Sequence, residues 1–583
     1  MLKKFRFTNL LVAFFMALAL LAGCGSSGGD GAFIPLQRTV TVEVAGGIAG
    51  SGADLTCVDE GDMVACRGIK YAEAIRFAPS EMITLEGEIN ARRFGSACIQ
   101  DDGSGSEDCL FLNVFFPKPI DVAAAADAPI QPPSDLPVMV WIHGGALIQG
   151  ASSVPGYDVP ALVNEGVVVV TINYRLNAFG FLPHPALEDP TGNFGLKDQV
   201  KALEWVQDYI ADFGGDPANV TIFGESAGGH SVLSLLVADP VIVSGLFHKA
   251  IVQSGSYSPT QTDLETGYYI YGSVFADLPY VTGSGPCSVE NCLTGHTCDT
   301  NEGIRACLRD LTVEEVMTAQ STSPAWGFPT PVHAADTFLP KSISAALTDG
   351  EVADVPVMIG TNLNEGSLFT ALFMPQYGNF ATLENLVAGV TTLLLGDPRS
   401  YDRNALAEDY TERAVDTYGD NANKFRNAHS MVFTDATFSC NALGHAATLA
   451  ARQPTYSYWF TDADAPIHDT YAALGALSAF FNLGNWGFGA SHSFEIQYIF
   501  GTVQDHANVT ADQIALSNRM ITYWTNFAKY GNPGGGWTAY NGTNIRELNP
   551  YGDWDATAGR FATAHYCACW ADPGSCWPVS EPE

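Results

Sequence analysis

Ser226 lies in the stretch Val220-Thr-Ile-Phe-Gly-Glu-Ser-Ala-Gly-Gly229. A β-branched and aromatic run ends in G-x-S-x-G, and the stretch reads as a buried strand, a sharp turn and a helix. A serine on such a turn is presented as a nucleophile. The flanking glycines let neighbouring backbone pass close by, and N–H groups at the helix start face negative charge developing on a substrate oxygen. Gly25-Ser-Ser-Gly-Gly29 has the same spacing but sits in a glycine–serine tether with no strand before it. A nucleophilic serine needs a base, and the base needs an orienting acid. Glu365 follows the apolar run Val355–Ile359, at the end of a strand where functional groups collect in parallel sheets. The later histidines are His429, His445, His468, His492, His506 and His565. His492 sits in the small-residue loop Gly487-Phe-Gly-Ala-Ser-His, and the residues alone leave the choice among the histidines open. The strand-like run Val138–Ile142 ends in a second glycine turn, His143-Gly-Gly-Ala146, which offers backbone donors.

These groups need a scaffold. Val40–Val44, Val138–Ile142, Val167–Thr171, Val220–Phe223, Ala250–Gln253, Val355–Ile359 and Tyr456–Phe460 read as strands. Gln199–Phe213 carries Leu203, Val206 and Ile210 at helical spacing. Strands alternating with helices predict an α/β fold with a large, mostly parallel sheet flanked by helices. The order serine, acid, histidine is that of the α/β-hydrolases. Residues 260–330 and 366–430 break the rhythm and read as insertions that form a gorge or cap over the site. Residues 39–583 thus form a single domain.

The chain has 583 residues and a formal net charge of −36, which repels nucleic acid and anionic surfaces. With no P-loop, G-x-G-x-x-G or H-E-x-x-H, no cofactor or metal is expected. Residues 1–23 read as a signal peptide: Lys3, Lys4 and Arg6, then the apolar run Leu10–Leu21, too short to span a bilayer. Leu21-Ala-Gly-Cys24 resembles the bacterial lipoprotein signal, so Cys24 is expected to carry acyl chains and residues 24–38 to form a flexible tether. Gly25 after the cysteine points to the outer membrane, and a lipid anchor is the only membrane contact expected. Export permits disulfides. Spacing suits local bridges at Cys57/Cys66, Cys98/Cys109, Cys569/Cys576 and among Cys287, Cys292, Cys298 and Cys307, leaving Cys440 and Cys567 as a long-range pair.

From about Val40 to Trp570 the chain resembles the type-B carboxylesterases, which include cholinesterases and bile-salt lipases. The resemblance is carried by Ser106-Glu-Asp-Cys-Leu-Phe-Leu-Asn113, Asn173-Tyr-Arg-Leu176, Gly192–Gln199, Phe213-Gly-Gly-Asp-Pro217, Gln253-Ser-Gly255, Asn364-Glu-Gly366, His492 with Glu495, and Tyr523-Trp-Thr-Asn-Phe-Ala528. It implies hydrolysis of small carboxylic esters, with Ser226 as nucleophile, Glu365 as acid and His492 as base. It also implies Cys98–Cys109 and Cys440–Cys567 bridges. The family's usual run of three glycines is here Gly144-Gly145-Ala146. By position Gly145, Ala146 and Ala227 donate to the oxyanion, and Gly144 supports the turn. Glu225 beside the serine is usual in the family, near the site or as a buried structural carboxylate. Trp326 and Phe328 read as core aromatics first and as gorge lining second. The family's choline-stacking Trp falls between the first bridged cysteines; Cys98 and Cys109 enclose no Trp. Two further readings are a lipase or sterol esterase acting on long acyl chains, and a non-catalytic binding or adhesion member. The intact Ser226, Glu365 and His492 argue against the second.

Overall fold

The computed structural model describes residues 38–45, 52–119, 130, 132–258, 260–270, 300–322, 328–374, 376–394, 401–467 and 487–578. The expected signal peptide, Cys24, nearly all of the tether, Cys287, Cys292, Cys298, Trp326 and His468 lie outside the described residues.

The chain divides into two units. The first comprises residues 1–154, 162–250 and 259–353, and the second residues 155–161, 251–258 and 354–583. In the first, Thr39–Val44, Ala53–Asp59, Met63–Lys70 and Phe111–Pro117 pair antiparallel in that order. Phe111–Pro117 then pairs antiparallel with Val168–Ile172. Leu136–Ile142 pairs parallel with both Val168–Ile172 and Gly215–Glu225. The stretches Val138–Ile142, Val168–Ile172 and Val220–Glu225 of these last strands are wholly buried, and their mainly apolar runs are what a parallel strand covered on both faces requires. The second unit pairs Val357–Asn362, Thr455–Phe460 and Asn544–Asn549 in parallel and ends in the antiparallel hairpin partner Gly552–Thr557. The strand Lys249–Gln253 carries the chain from the first unit into the second. Helices flank the strands, including Phe194–Tyr209, Ala227–Leu236 and Ala511–Tyr530. These are the elements of the α/β-hydrolase fold.

Expected and observed boundaries differ for local reasons. The strand expected from Val355 begins at Val357, because Pro356 has no N–H to give a ladder. The helix expected over Gln199–Phe213 starts at Phe194 and tightens to a 3₁₀ turn over Ile210–Phe213, stopped by Gly214 in the left-handed region. The described parts of the segments that broke the rhythm carry helices: Leu264–Ile270, Asn301–Asp310 and Val313–Thr322 in the first unit, and Gly366–Phe373, Leu383–Leu393, Arg403–Tyr418 and Lys424–Phe433 in the second. In the first unit, Leu308, Val316 and Met317 from these helices share a core with Phe77, Phe179 and Val332.

Disulfides join Cys57 to Cys66, Cys98 to Cys109, Cys440 to Cys567 and Cys569 to Cys576, as expected. Cys307 is buried. Among the described residues no helix is long and apolar enough to cross a membrane, and no cluster of side chains could hold a metal ion.

Candidate active site

Ser226 sits between the strand Gly215–Glu225 and the helix Ala227–Leu236, at φ 56° and ψ −120°. A non-glycine residue takes such a backbone only under strain, and strain of this kind is stored where a side chain must be presented. From Val220 to Ala238 every residue is buried except Ser226. The glycines around it are required by contact. A Cβ on Gly228 would fall 1.9 Å from the Ile142 carbonyl oxygen, and one on Gly224 2.6 Å from the same atom. The turn after Leu136–Ile142 packs on the serine: a Cβ on Gly144 would lie 2.8 Å from the Glu225 carbonyl oxygen, 3.0 Å from Glu225 Oε2 and 3.1 Å from Ser226 Cβ. Gly145 and Ala146 are partly exposed and both have positive φ, 111° and 56°. The first unit thus brings together Ser226, Ala227, Gly144 and Glu225. Glu225 is buried, with its carboxylate beside Gly144. Phe328 is 39% exposed, which rules out the core role.

The second unit brings Glu365 to His492. His492 Nδ1 lies 2.6 Å from Glu365 Oε2, with both side chains buried. Glu365 Oε1 accepts from Ser254 Oγ at 2.5 Å, from Thr361 Oγ1 at 2.8 Å and from the Asn362 N–H at 2.8 Å. Burial works to raise the Glu365 carboxyl. The charge of His492 and the hydrogen bonds from His492, Ser254 and Asn362 outweigh it and hold the group below the ordinary range. A carboxylate opposite Nδ1 makes Nδ1 the donor and leaves Nε2 with the lone pair of a base. The imidazole packs against Phe369 and Phe438, at ring-centroid distances of 5.0 and 4.9 Å.

The loops carrying the two residues are tied together. Asn364 N donates to the Ala490 carbonyl at 2.9 Å, Ala490 N returns to Asn364 Oδ1 at 3.2 Å, and Ser367 Oγ donates to the Phe488 carbonyl at 2.6 Å. Gly366 must be glycine, since a Cβ there would fall 2.2 Å from the Ser430 carbonyl oxygen. Three of the other described histidines of the second unit have other partners: His429 with Thr370, His445 with Ser256 and His565 with Asp435. Sequence reasoning assigned no role to Ser254, Thr361 or Asn362. The motif Gln253-Ser-Gly255 was the available signal for the first.

The geometry offers a strained serine beside backbone donors, and a buried acid–histidine pair whose second ring nitrogen can accept a proton. The profile of the carboxylesterase family matches residues 37–570. Over 502 residues the chain is 32% identical to a para-nitrobenzyl esterase of Bacillus subtilis (strain 168), covering 82% of this chain and 88% of that protein. It is 31% identical to an acetylcholinesterase of Bungarus fasciatus, over 75% of this chain and 67% of the other. It is 31% identical to a human cocaine esterase, over 80% of this chain and 79% of the other.

Proposed function

The chain belongs to the carboxylesterase family and is by that membership a carboxylic ester hydrolase, and from that premise we propose that it cleaves esters through an acyl-enzyme on Ser226. The observation that carries the reading is the buried Glu365–His492 pair at 2.6 Å. His492 Nε2 takes the hydroxyl proton of Ser226 as Oγ bonds to the ester carbonyl carbon. The carbonyl oxygen becomes an oxyanion, held by the N–H groups of Gly145, Ala146 and Ala227. Collapse breaks the bond to the alcohol oxygen, which leaves with the proton from His492. Water then gives its proton to His492 and attacks the acyl carbon, and the acid departs as Ser226 Oγ regains the proton. Glu365 holds the imidazole in the required tautomer and stabilises its cation. Glu225 flanks the nucleophile, and Phe328, being exposed, is available to an incoming substrate. The relatives' names supply para-nitrobenzyl esters, acetylcholine and cocaine as probes. Upstream of the domain, Leu21-Ala-Gly-Cys24 supports export and acylation at Cys24, with the outer membrane as destination.

The test is the initial rate on p-nitrophenyl butyrate, wild type beside Ser226→Ala, with the site mapped by a fluorophosphonate. Rates lost with the serine, and a label on the Ser226 peptide, are expected. Equal rates in the two proteins, or a label elsewhere, overturn the reading.

A further inference from the structure

Each candidate oxyanion N–H belongs to a peptide whose carbonyl, on the opposite side of the same plane, is tied down. The Ser226 carbonyl accepts from the His230 N–H at 2.8 Å, which fixes the peptide bearing the Ala227 N–H. The Gly145 carbonyl accepts from the N–H groups of Ile148 and Gln149, both at 3.1 Å, which fixes the peptide bearing the Ala146 N–H. The Gly144 carbonyl faces His143 Nδ1 at 2.8 Å, and this contact fixes the peptide bearing the Gly145 N–H. The first two ties are backbone. The third is a side chain.

We propose that His143 is a positioning residue for the oxyanion hole: its Nδ1–H holds the Gly144 carbonyl and so aims the Gly145 N–H at the reacting carbonyl. In a trans peptide C=O and N–H point in opposite directions, and no cis peptide is present among the described residues. Anchoring the oxygen therefore sets the direction of the hydrogen. A carbonyl oxygen can only accept, so the ring nitrogen must donate. Burial pushes the His143 pKa down to about 4 despite the hydrogen bond to Gly144. The ring is therefore neutral, with its one proton on Nδ1. Nε2 is buried and has no hydrogen-bond partner among the described residues, which suits a bare lone pair. The ring plane is held by stacking on Tyr174 at 4.4 Å, while Tyr174 Oη donates to the His143 carbonyl at 2.7 Å. Gly150 leaves room for the contact: at φ 109° a Cβ there would lie 2.5 Å from both the Gly144 oxygen and His143 Nδ1. The tie matters because the Gly144–Gly145 peptide has a glycine on each side, and a glycine-rich turn holds a peptide orientation poorly without a partner of its own. The proposal rests on the esterase reading of the hole.

The experiment compares His143→Leu, which removes the donor, with His143→Asn, whose amide nitrogen falls near the Nδ1 position. On p-nitrophenyl butyrate, His143→Leu is expected to lower kcat by on the order of tenfold to a hundredfold with little change in KM, as for weakening one oxyanion donor. It should weaken an aryl trifluoromethyl ketone, whose hemiketal oxygen occupies the hole, by a similar factor. His143→Asn should recover most of both losses. A His143→Leu enzyme with wild-type kcat and inhibitor affinity overturns the proposal, as does an equal loss in Leu and Asn variants that melt like wild type. A separate measurement needs no turnover: NMR of ¹⁵N-histidine-labelled wild type should show an Nδ1–H proton that vanishes in His143→Asn and persists down to about pH 5. Its absence overturns the proposal in an active enzyme. Its presence in a wild type with no Ser226-dependent turnover overturns instead the reading of the hole.

Discussion

Glu495 stands three residues beyond His492 and is fully buried. Its Oε2 accepts from Asn362 Nδ2 at 2.6 Å and its Oε1 from Gln253 Nε2 at 3.2 Å. Burial, and then the charge of Glu365, push its carboxyl from 4.5 up to about 7. At about 1.4 kcal/mol per tenfold in proton affinity, ionising it in the folded protein costs about 3 kcal/mol more than in the unfolded chain. A folded value above the unfolded one means that, between pH 4.5 and about 7, the folded protein keeps a proton that the unfolded chain has released. Stability therefore falls as pH rises through that window. Glu365 has the opposite sign: its contribution is present above its unfolded value and is lost as pH falls through its folded value, below this window. Glu495→Gln is neutral at every pH and removes the slope. With 583 residues and about 2.1 cal/mol/K of unfolding entropy per residue, 3 kcal/mol corresponds to about 2.5 °C in Tm. Differential scanning fluorimetry of both proteins from pH 5 to pH 8 should show the variant's Tm gaining about 2 °C on wild type across the range. A Tm difference that does not change with pH would refute the argument.

Gly144→Ala places a methyl 2.8 Å from the Glu225 carbonyl oxygen and 3.1 Å from Ser226 Cβ. Turnover should fall at least about tenfold by misplacing the nucleophile and the neighbouring donor, with about 1–3 kcal/mol of stability lost to overpacking, read together by kinetics and melting. Replacing Cys440 and Cys567 with serine opens a loop of sequence separation 127. The chain-entropy account sets the loss at up to about 5 kcal/mol, measurable as a lower Tm under non-reducing conditions and absent when wild type is already reduced. Cys24→Ser should shift the mature protein from the membrane to the soluble fraction and remove acyl mass from its N-terminal peptide. Unchanged fractionation would sink the lipoprotein reading.

Ser226 and Glu365 were legible because their motifs are local: a strand that ends in G-x-S-x-G, and a glutamate just past another apolar run. Choosing a histidine from the residues alone was not possible. The distinction lies in which imidazole reaches Glu365, and His492 does so across a sequence separation of 127. The same holds for Ser254, whose hydroxyl meets Glu365 across 111 residues and whose backbone there has φ 49°. Buried parallel strands were read well, since both faces are apolar. The hairpin Asn544–Asn549 with Gly552–Thr557 was not, because its sequence, Asn-Ile-Arg-Glu-Leu-Asn and Gly-Asp-Trp-Asp-Ala-Thr, mixes charge into a partly exposed edge. The cysteine pairs outside the stretch Cys287–Cys307 followed from spacing and count, and the disulfides match them.

The hydrogen bonds to Glu365 also set an order of events. Thr361 and Asn362, close by in sequence, can reach the carboxylate once a single turn has formed. Ser254 and His492 reach it only after long stretches of chain have closed, and contacts of that separation are slow to form. During synthesis the acid must wait until the ribosome has released residue 492, long after the nucleophile has emerged. A refolding chain should accordingly regain helix and strand signals before it regains the acid–histidine pair. Hydrolysis then serves as a clock that starts only when the last distant partner has arrived, and a truncated or arrested chain would be silent however much ordered structure it had recovered.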